Sequence, residues 1–202
     1  MQDVPFFPLK GFNSDGLGAL KALQDHGVSL EGKRVLILGS GGAARGIAFT
    51  LAMNTRLKKL CGLGILPDEL STLIDNLRPV TKAEVVGEIL NEKALEKQIL
   101  SSEVVINCTP VGMYPKIKES PVPKDVLRKG LLVFDVVYNP LHTKLLTEAK
   151  SMGCDTISGI EMFINQAVVQ FELWTGAKAP EEIMRAVILE QVSGEDQATG
   201  LY

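Results

Sequence analysis

The sequence predicts an α/β chain: a doubly wound parallel sheet of about six strands with helices on both faces. Three observations carry that expectation. Apolar runs of strand length alternate with amphipathic stretches of helix length, and the connections between them are short. Val35-Leu36-Ile37-Leu38 is an unbroken apolar run, the pattern of a strand buried on both faces. Gly39-Ser40-Gly41-Gly42-Ala43-Ala44 then fits G-x-G-x-x-A, and Ala44, Ile47, Ala48 and Leu51 continue it at helical spacing. Strand, glycine turn and helix in direct succession are Rossmann-type. In such a turn Gly39 permits the sharp bend, Gly41 lets a pyrophosphate approach the backbone, and Ala44 lets helix and strand pack closely. Unpaired N–H groups and the positive end of the helix dipole then face an anion. Gly39, Ser40, Gly41, Gly42 and Ala43 are therefore the candidate contacts to a dinucleotide cofactor.

The other elements follow in order. Pro5, Phe6, Phe7 and Pro8 make an extended apolar lead-in, after which Leu17, Leu20 and Leu23 share one helical face. Ser14 and Asp15 stand where side-chain oxygens cap a helix, and Gly27 closes it. Strands are expected at Val35–Leu38, Lys59–Leu66, Ala83–Val86, Val104–Cys108, Leu131–Val137 and Asp155–Ser158. Between them the sequence predicts helices from Ala44 through Leu51, Pro67 to Leu77 with proline in the first turn, Glu92 to Leu100, and Thr143 to Met152. Ile160 to Leu173 and Pro180 to Val192 complete the set. The Gly-rich turn belongs at a topological switch point, so the strand order should be 3-2-1-4-5-6 with Val35–Leu38 central. The organisation is then a lead-in and linking helix over 1–27 and a dinucleotide-binding domain over 28–178. A C-terminal helix over 179–192 and a polar, disordered tail over 193–202 follow.

Composition narrows the function. A net charge of -3, with no dense basic run, argues against nucleic acid as a partner. No apolar run reaches membrane-spanning length, and Met1-Gln2-Asp3 does not begin a signal peptide. Cys61, Cys108 and Cys154 are odd in number and widely spaced, which suits buried thiols of a reducing compartment, so the expected location is cytoplasmic. His26 and His142 are too few and too far apart to suggest a metal centre.

Ligands of open α/β sheets bind outside the carboxyl ends of the strands. The segments there include Asn107-Cys-Thr-Pro-Val-Gly-Met113, Asp135-Val-Val-Tyr-Asn-Pro140 and Gly159-Ile-Glu-Met-Phe-Ile-Asn-Gln166. Taken alone, Tyr138 reads as a strand cap, Gln166 as part of a solvated helix face, Met113 and Met162 as core, and Gly112 as a turn. Taken together, the segments resemble the shikimate dehydrogenase family. Asn13-Ser14-Asp15 is similar to its N-T-D, Asn107–Met113 to N-x-T-P-x-G-M, and Tyr138-Asn139-Pro140 to Y-N-P. Gly159, Met162 and Gln166 follow G-x-x-M-x-x-x-Q, and Trp174–Pro180 resembles the family's tail. The resemblance runs in order from about Gly11 to Val192. It implies NADPH-dependent, reversible reduction of 3-dehydroshikimate to shikimate, a small-molecule substrate of aromatic amino acid biosynthesis. It makes Asp15 the partner of a catalytic lysine, gives substrate hydroxyls to Tyr138 and Gln166, and sets Thr109, Val136, Gly159 and Met162 around the nicotinamide.

Two departures qualify this. The family carries its lysine and most of its substrate site on a domain ahead of N-T-D, and neither Lys10 nor Lys21 sits in that lysine motif. An N-terminal substrate domain, in cis or in trans, is the implied partner, and the 202 residues alone should be inactive. The second departure is Gly64-Ile65-Leu66, which stands where the family's N-R-T grips the 2′-phosphate of NADP. It has neither that arginine nor the acid of NAD users; NADP is the cofactor the resemblance implies, with NAD, or weak or lost binding, the alternatives. A quinate-acting relative and a non-catalytic nucleotide-binding or interaction module are the competing functions.

Overall fold

The computed structural model describes residues 11–198, with side chains through Val192; the 1–10 lead-in lies outside the described residues. Six parallel strands form one sheet: β1 (Arg34–Leu38), β2 (Lys59–Gly64), β3 (Glu84–Ile89), β4 (Val104–Asn107), β5 (Leu132–Asp135) and β6 (Asp155–Ser158). Their spatial order is β3-β2-β1-β4-β5-β6, the order expected from the glycine turn. The helices are α1 (Asp15–Asp25), α2 (Gly42–Asn54), α3 (Pro67–Leu77), α4 (Glu92–Leu100), α5 (Lys144–Ser151), α6 (Gly159–Thr175) and α7 (Glu181–Ala198).

Alternation along β1 explains why Val35–Leu38 are all apolar. Val35 and Ile37 point into a core shared with α1, α2 and α3, together with Met162 of α6. Leu36 and Leu38 point into a second core with α4 and α5. A strand covered on both faces favours apolar side chains throughout its interior.

The differences from the sequence expectation have local causes. β2 ends at Gly64, because beyond it the chain leaves the sheet with Ile65 and Leu66 on the surface. β3 runs to Ile89, three residues past Val86, and pairs with β2 along its whole length. As the edge strand it carries Gly87 and Glu88, which break the apolar run. A Cβ on Gly87 would lie 2.5 Å from Ile74 Cγ1, so the glycine lets α3 settle on the sheet. α7 continues to Ala198, past the Val192 at which the apolar pattern ends it, through a stretch that mixes Glu195, Gln197 and Ala198 with the weaker formers Ser193, Gly194 and Asp196 and holds no proline. The end of the expected tail, 199–202, lies outside the described residues.

Small residues fix the helix layer above the strands. On α1, a Cβ at Gly16 would lie 2.0 Å from Thr50 Oγ1 and 2.2 Å from the Gly46 carbonyl oxygen. At Gly18 it would lie 2.8 Å from the Met162 carbonyl oxygen and 2.9 Å from the Gln166 nitrogen. Helices α2 and α6 therefore meet α1 backbone to backbone, which holds the start of α1 beside the strand ends. Gly16→Ala should gain about 1 kcal/mol of helix propensity and lose more to the clash, for a net destabilisation of about 2 kcal/mol in urea unfolding. Gly11→Ala, with nothing within 4 Å of the new methyl, should change stability by less than about 0.5 kcal/mol.

Candidate active site

The carboxyl ends of β1, β4 and β5 form a continuous floor. The parallel ladder runs one residue past each strand: Gly39 N–H donates to the Leu63 carbonyl at 2.7 Å, Cys108 to Leu38 at 2.9 Å, and Val136 to Asn107 at 3.0 Å. Gly39 has φ +109°, and a Cβ there would lie 3.2 Å from the Cys108 carbonyl oxygen. Conformation and space both call for glycine. The next glycines differ. Gly41 and Gly42 are exposed, and a Cβ on either would meet nothing within 4 Å. Gly41 is the N-cap of α2, extended and without a side-chain cap, so the first turn of the helix presents N–H groups to open space. That cradle fits a pyrophosphate. Ser40 is turned inward and buried.

Behind the floor lies a buried polar knot that no single motif disclosed. Asp135, Asn107 and Thr143 are each fully buried. Asp135 Oδ1 accepts from Asn107 Nδ2 at 2.9 Å and from the Val137 N–H at 3.2 Å, while Oδ2 accepts from Thr143 Oγ1 at 2.6 Å. Asn107 Oδ1 in turn accepts from the Thr109 N–H at 3.0 Å and from its hydroxyl at 2.7 Å. One carboxylate thus fixes the Thr109 loop, the start of the Tyr138 loop and the cap of α5.

In front of the knot, a pocket of about 360 Å³ is lined by Cys108, Thr109, Pro110, Met113, Tyr114, Val136, Val137, Tyr138 and Asn139. A larger hollow, about 530 Å³, opens beside Arg56 and Lys82 at the amino ends of the strands. The fold's logic favours the carboxyl-end pocket, which adjoins the glycine turn. Tyr138 stacks on Phe163 of α6 with ring centroids 4.2 Å apart and planes 16° from parallel. The sequence reading missed Phe163; its place one residue after Met162 was the available signal.

The remaining predicted residues gather at the same end. A Cβ on Gly159 would lie 2.4 Å from the Val136 carbonyl oxygen, so only glycine lets α6 start directly against β5. Met162 is buried in the main core, against which Val136 packs. Gln166 is half-buried at the crossing of α6 with Gly18, and Asp15 is half-buried at the start of α1. The capping reading of Ser14 is corrected. Ser14 makes no cap and instead accepts from Gln170 Nε2 at 2.7 Å, while Asn13 Oδ1 takes the Gly16 N–H at 3.4 Å. Burial, then the charges of Asp135 and Asp15, push the Cys108 thiol up and keep it neutral. No cluster of metal-ligating side chains occurs among the described residues.

The family model for the shikimate 5′-dehydrogenase C-terminal domain matches residues 159–189. The shikimate dehydrogenase (NADP(+)) of Moorella thermoacetica is 39% identical over 186 residues, which is 90% of this chain and 61% of that protein. Over most of its length the chain is similar to shikimate dehydrogenases, and residues 159–189 are similar to the C-terminal domain of that family. Shikimate 5-dehydrogenase from Listeria monocytogenes, solved with shikimate and NAD, superposes with a TM-score of 0.81 at 30% identity, covering 87% of this chain and 62% of that one. Quinate dehydrogenase from Corynebacterium glutamicum, solved with NAD, gives 0.80 at 30% identity, covering 89% and 63%. The chain thus spans less than two thirds of the length of these relatives.

The buried knot makes a pH prediction. Desolvation dominates at Asp135 and raises its pKa from 3.8 to about 6, against the opposing hydrogen bonds from Thr143, Asn107 and Val137. A carboxyl whose folded pKa exceeds its unfolded value binds its proton more tightly when folded. Its stabilisation is complete below 3.8 and is lost as the pH rises through about 6. Unfolding free energies of the chain and of Asp135→Asn should therefore converge or cross as the pH rises from 4 to 7, with the difference changing by about 3 kcal/mol. A constant difference would contradict this origin of the shift.

Proposed function

We propose that this chain is the nucleotide-binding part of a shikimate dehydrogenase. Together with a substrate domain it would interconvert 3-dehydroshikimate and shikimate by hydride transfer to and from a nicotinamide dinucleotide. The observation that carries the reading is the convergence of the open Gly41-Gly42 cradle, the Thr109 and Tyr138 loops and Asp15 at one end of the sheet. The curated relatives act with NADP, which supports that cofactor class, and the Listeria and Corynebacterium structures hold NAD.

The chemistry divides simply. A hydride leaves or joins carbon while a proton leaves or joins oxygen, and the bound nicotinamide supplies the hydride acceptor or donor. The first-turn N–H groups from Gly42 onward bind the pyrophosphate, with Gly39 and Ser40 shaping the approach. Thr109, Val136, Gly159 and Met162 border the nicotinamide, the first two held by the Asp135 knot. Tyr138, braced by Phe163, and Gln166 donate to substrate hydroxyls. Asp15 orients a lysine of the substrate domain, whose neutral amine takes the hydroxyl proton, and then stabilises the ammonium that forms. A carboxylate is a poor base for an alcohol, so the role that suits Asp15 is orientation.

Gly41→Val tests the cofactor half. The added side chain points into open space and φ is -75°, so the fold should survive. Dinucleotide binding should fall beyond detection; unchanged affinity in a folded variant would remove this turn from the site. A polypeptide limited to residues 1–202 should oxidise no shikimate, because one wall of the cleft carries only part of the orienting advantage. Joined to a domain that bears the lysine, Asp15→Asn should lower kcat by about 10²-fold and raise KM less. Turnover by the 202 residues alone would demand a different base.

A further inference from the structure

In a fold of this type the adenosine ribose lies beside the glycine turn, against the end of β2, where an acid meets a free 2′-hydroxyl or an arginine meets a 2′-phosphate. This corner is built from Ser40, the Gly64–Leu66 segment, Glu69 and Arg45. Gly64 is pressed against the turn: a Cβ there would lie 3.0 Å from Ser40 Oγ. Ile65 and Leu66 follow, 71% and 49% exposed, and their side chains offer a phosphate neither charge nor hydrogen-bond donor. Glu69, in the first turn of α3, accepts from Ser40 Oγ on Oε2 at 3.4 Å. The side chain lying over the turn at this corner is therefore an anion.

Arg45 is the cation at the corner, and its geometry is committed. Nε donates to the Ser40 carbonyl at 3.3 Å and Nη2 to the Glu69 carbonyl at 3.2 Å, so it clasps the turn to α3 through two backbone oxygens. A cofactor with a free 2′-hydroxyl would present a donor to the Glu69 carboxylate. A 2′-phosphate would bring a further charge of about -1.5 to -2 to the same place, toward a carboxylate and two aliphatic side chains. The cradle fits a pyrophosphate; the corner does not fit the extra phosphate.

We propose that this chain takes NAD(H) in preference to NADP(H), and that Glu69 is the residue that selects. The inference rests on reading Gly39–Ala43 as the pyrophosphate site, and it departs from the NADP named for the curated relatives.

The test is a pair of fluorescence titrations of the 202-residue chain, with NADH and with NADPH at one fixed salt concentration. NADH should bind at least tenfold more tightly. Glu69 is exposed, so its variants should fold: Glu69→Gln should raise NADPH affinity severalfold, and Glu69→Lys should reverse the preference. Equal or tighter binding of NADPH by the unmodified chain would overturn the proposal. If Arg45→Ala then weakened NADPH and spared NADH, the arginine would be shown to leave the carbonyls for the phosphate. Failure of both cofactors to bind at millimolar concentration would be a different result, removing the reading of the glycine turn and this inference with it.

Discussion

Two loops and the cap of a helix are tied to one buried charge. The Asp135 carboxylate receives Asn107, the Val137 N–H and Thr143 at distances between 2.6 and 3.2 Å. A carboxylate removed from water is costly unless its lone pairs are taken, and here burial still outweighs its partners enough to raise its pKa. The return on that cost is geometric. Asn107 passes the constraint to Thr109, and Val137 passes it to Tyr138, so both loops at the mouth of the pocket inherit their positions from the same group. Backbone glycines set the other side. Gly39 keeps the turn within contact of Cys108, and Gly159 lets α6 begin against Val136. The proposed site is therefore positioned by backbone and buried groups, leaving the exposed cradle at Gly41 and Gly42 free for a ligand.

Much of this was legible in the chain itself. A both-faces-buried strand running into G-x-G-x-x-A has few structural meanings, and right-handed crossovers leave few strand orders compatible with it. The central strand and the helix alternation follow from Val35–Leu38 and the spacing behind Ala44. The ends of elements were harder. β3 was read short because an edge strand need not be apolar, and β2 long because Ile65 and Leu66 look like strand residues although they sit on the surface. Capping illustrates the same point. Ser14 and Asp15 both offer a capping oxygen along the sequence, and the approach of Gln170 draws Ser14 away from the helix.

The site was legible as a set of segments, and less so as a set of contacts. Asp135 and Asn107 each open a motif, but nothing along the chain marks them as a pair, because the partnership between them spans 28 positions and two strands. Phe163 was invisible as the partner of Tyr138 for a similar reason: stacking depends on where α6 lies, which Gly159 and Gly18 determine. The departure from N-R-T at Gly64-Ile65-Leu66 is visible in the sequence, but its consequence requires Glu69 and Arg45 to be placed beside Ser40.

The central claim is that a dinucleotide lies across the carboxyl ends of β1, β4 and β5. Amide chemical-shift mapping of the isotopically labelled 202-residue chain, titrated with a reduced nicotinamide dinucleotide, addresses it directly. The account predicts the largest shifts at Gly39–Ala44, with a second group at Thr109, Val136 and Gly159. Shifts confined to the hollow at the opposite edge, around Arg56 and Lys82, would contradict it.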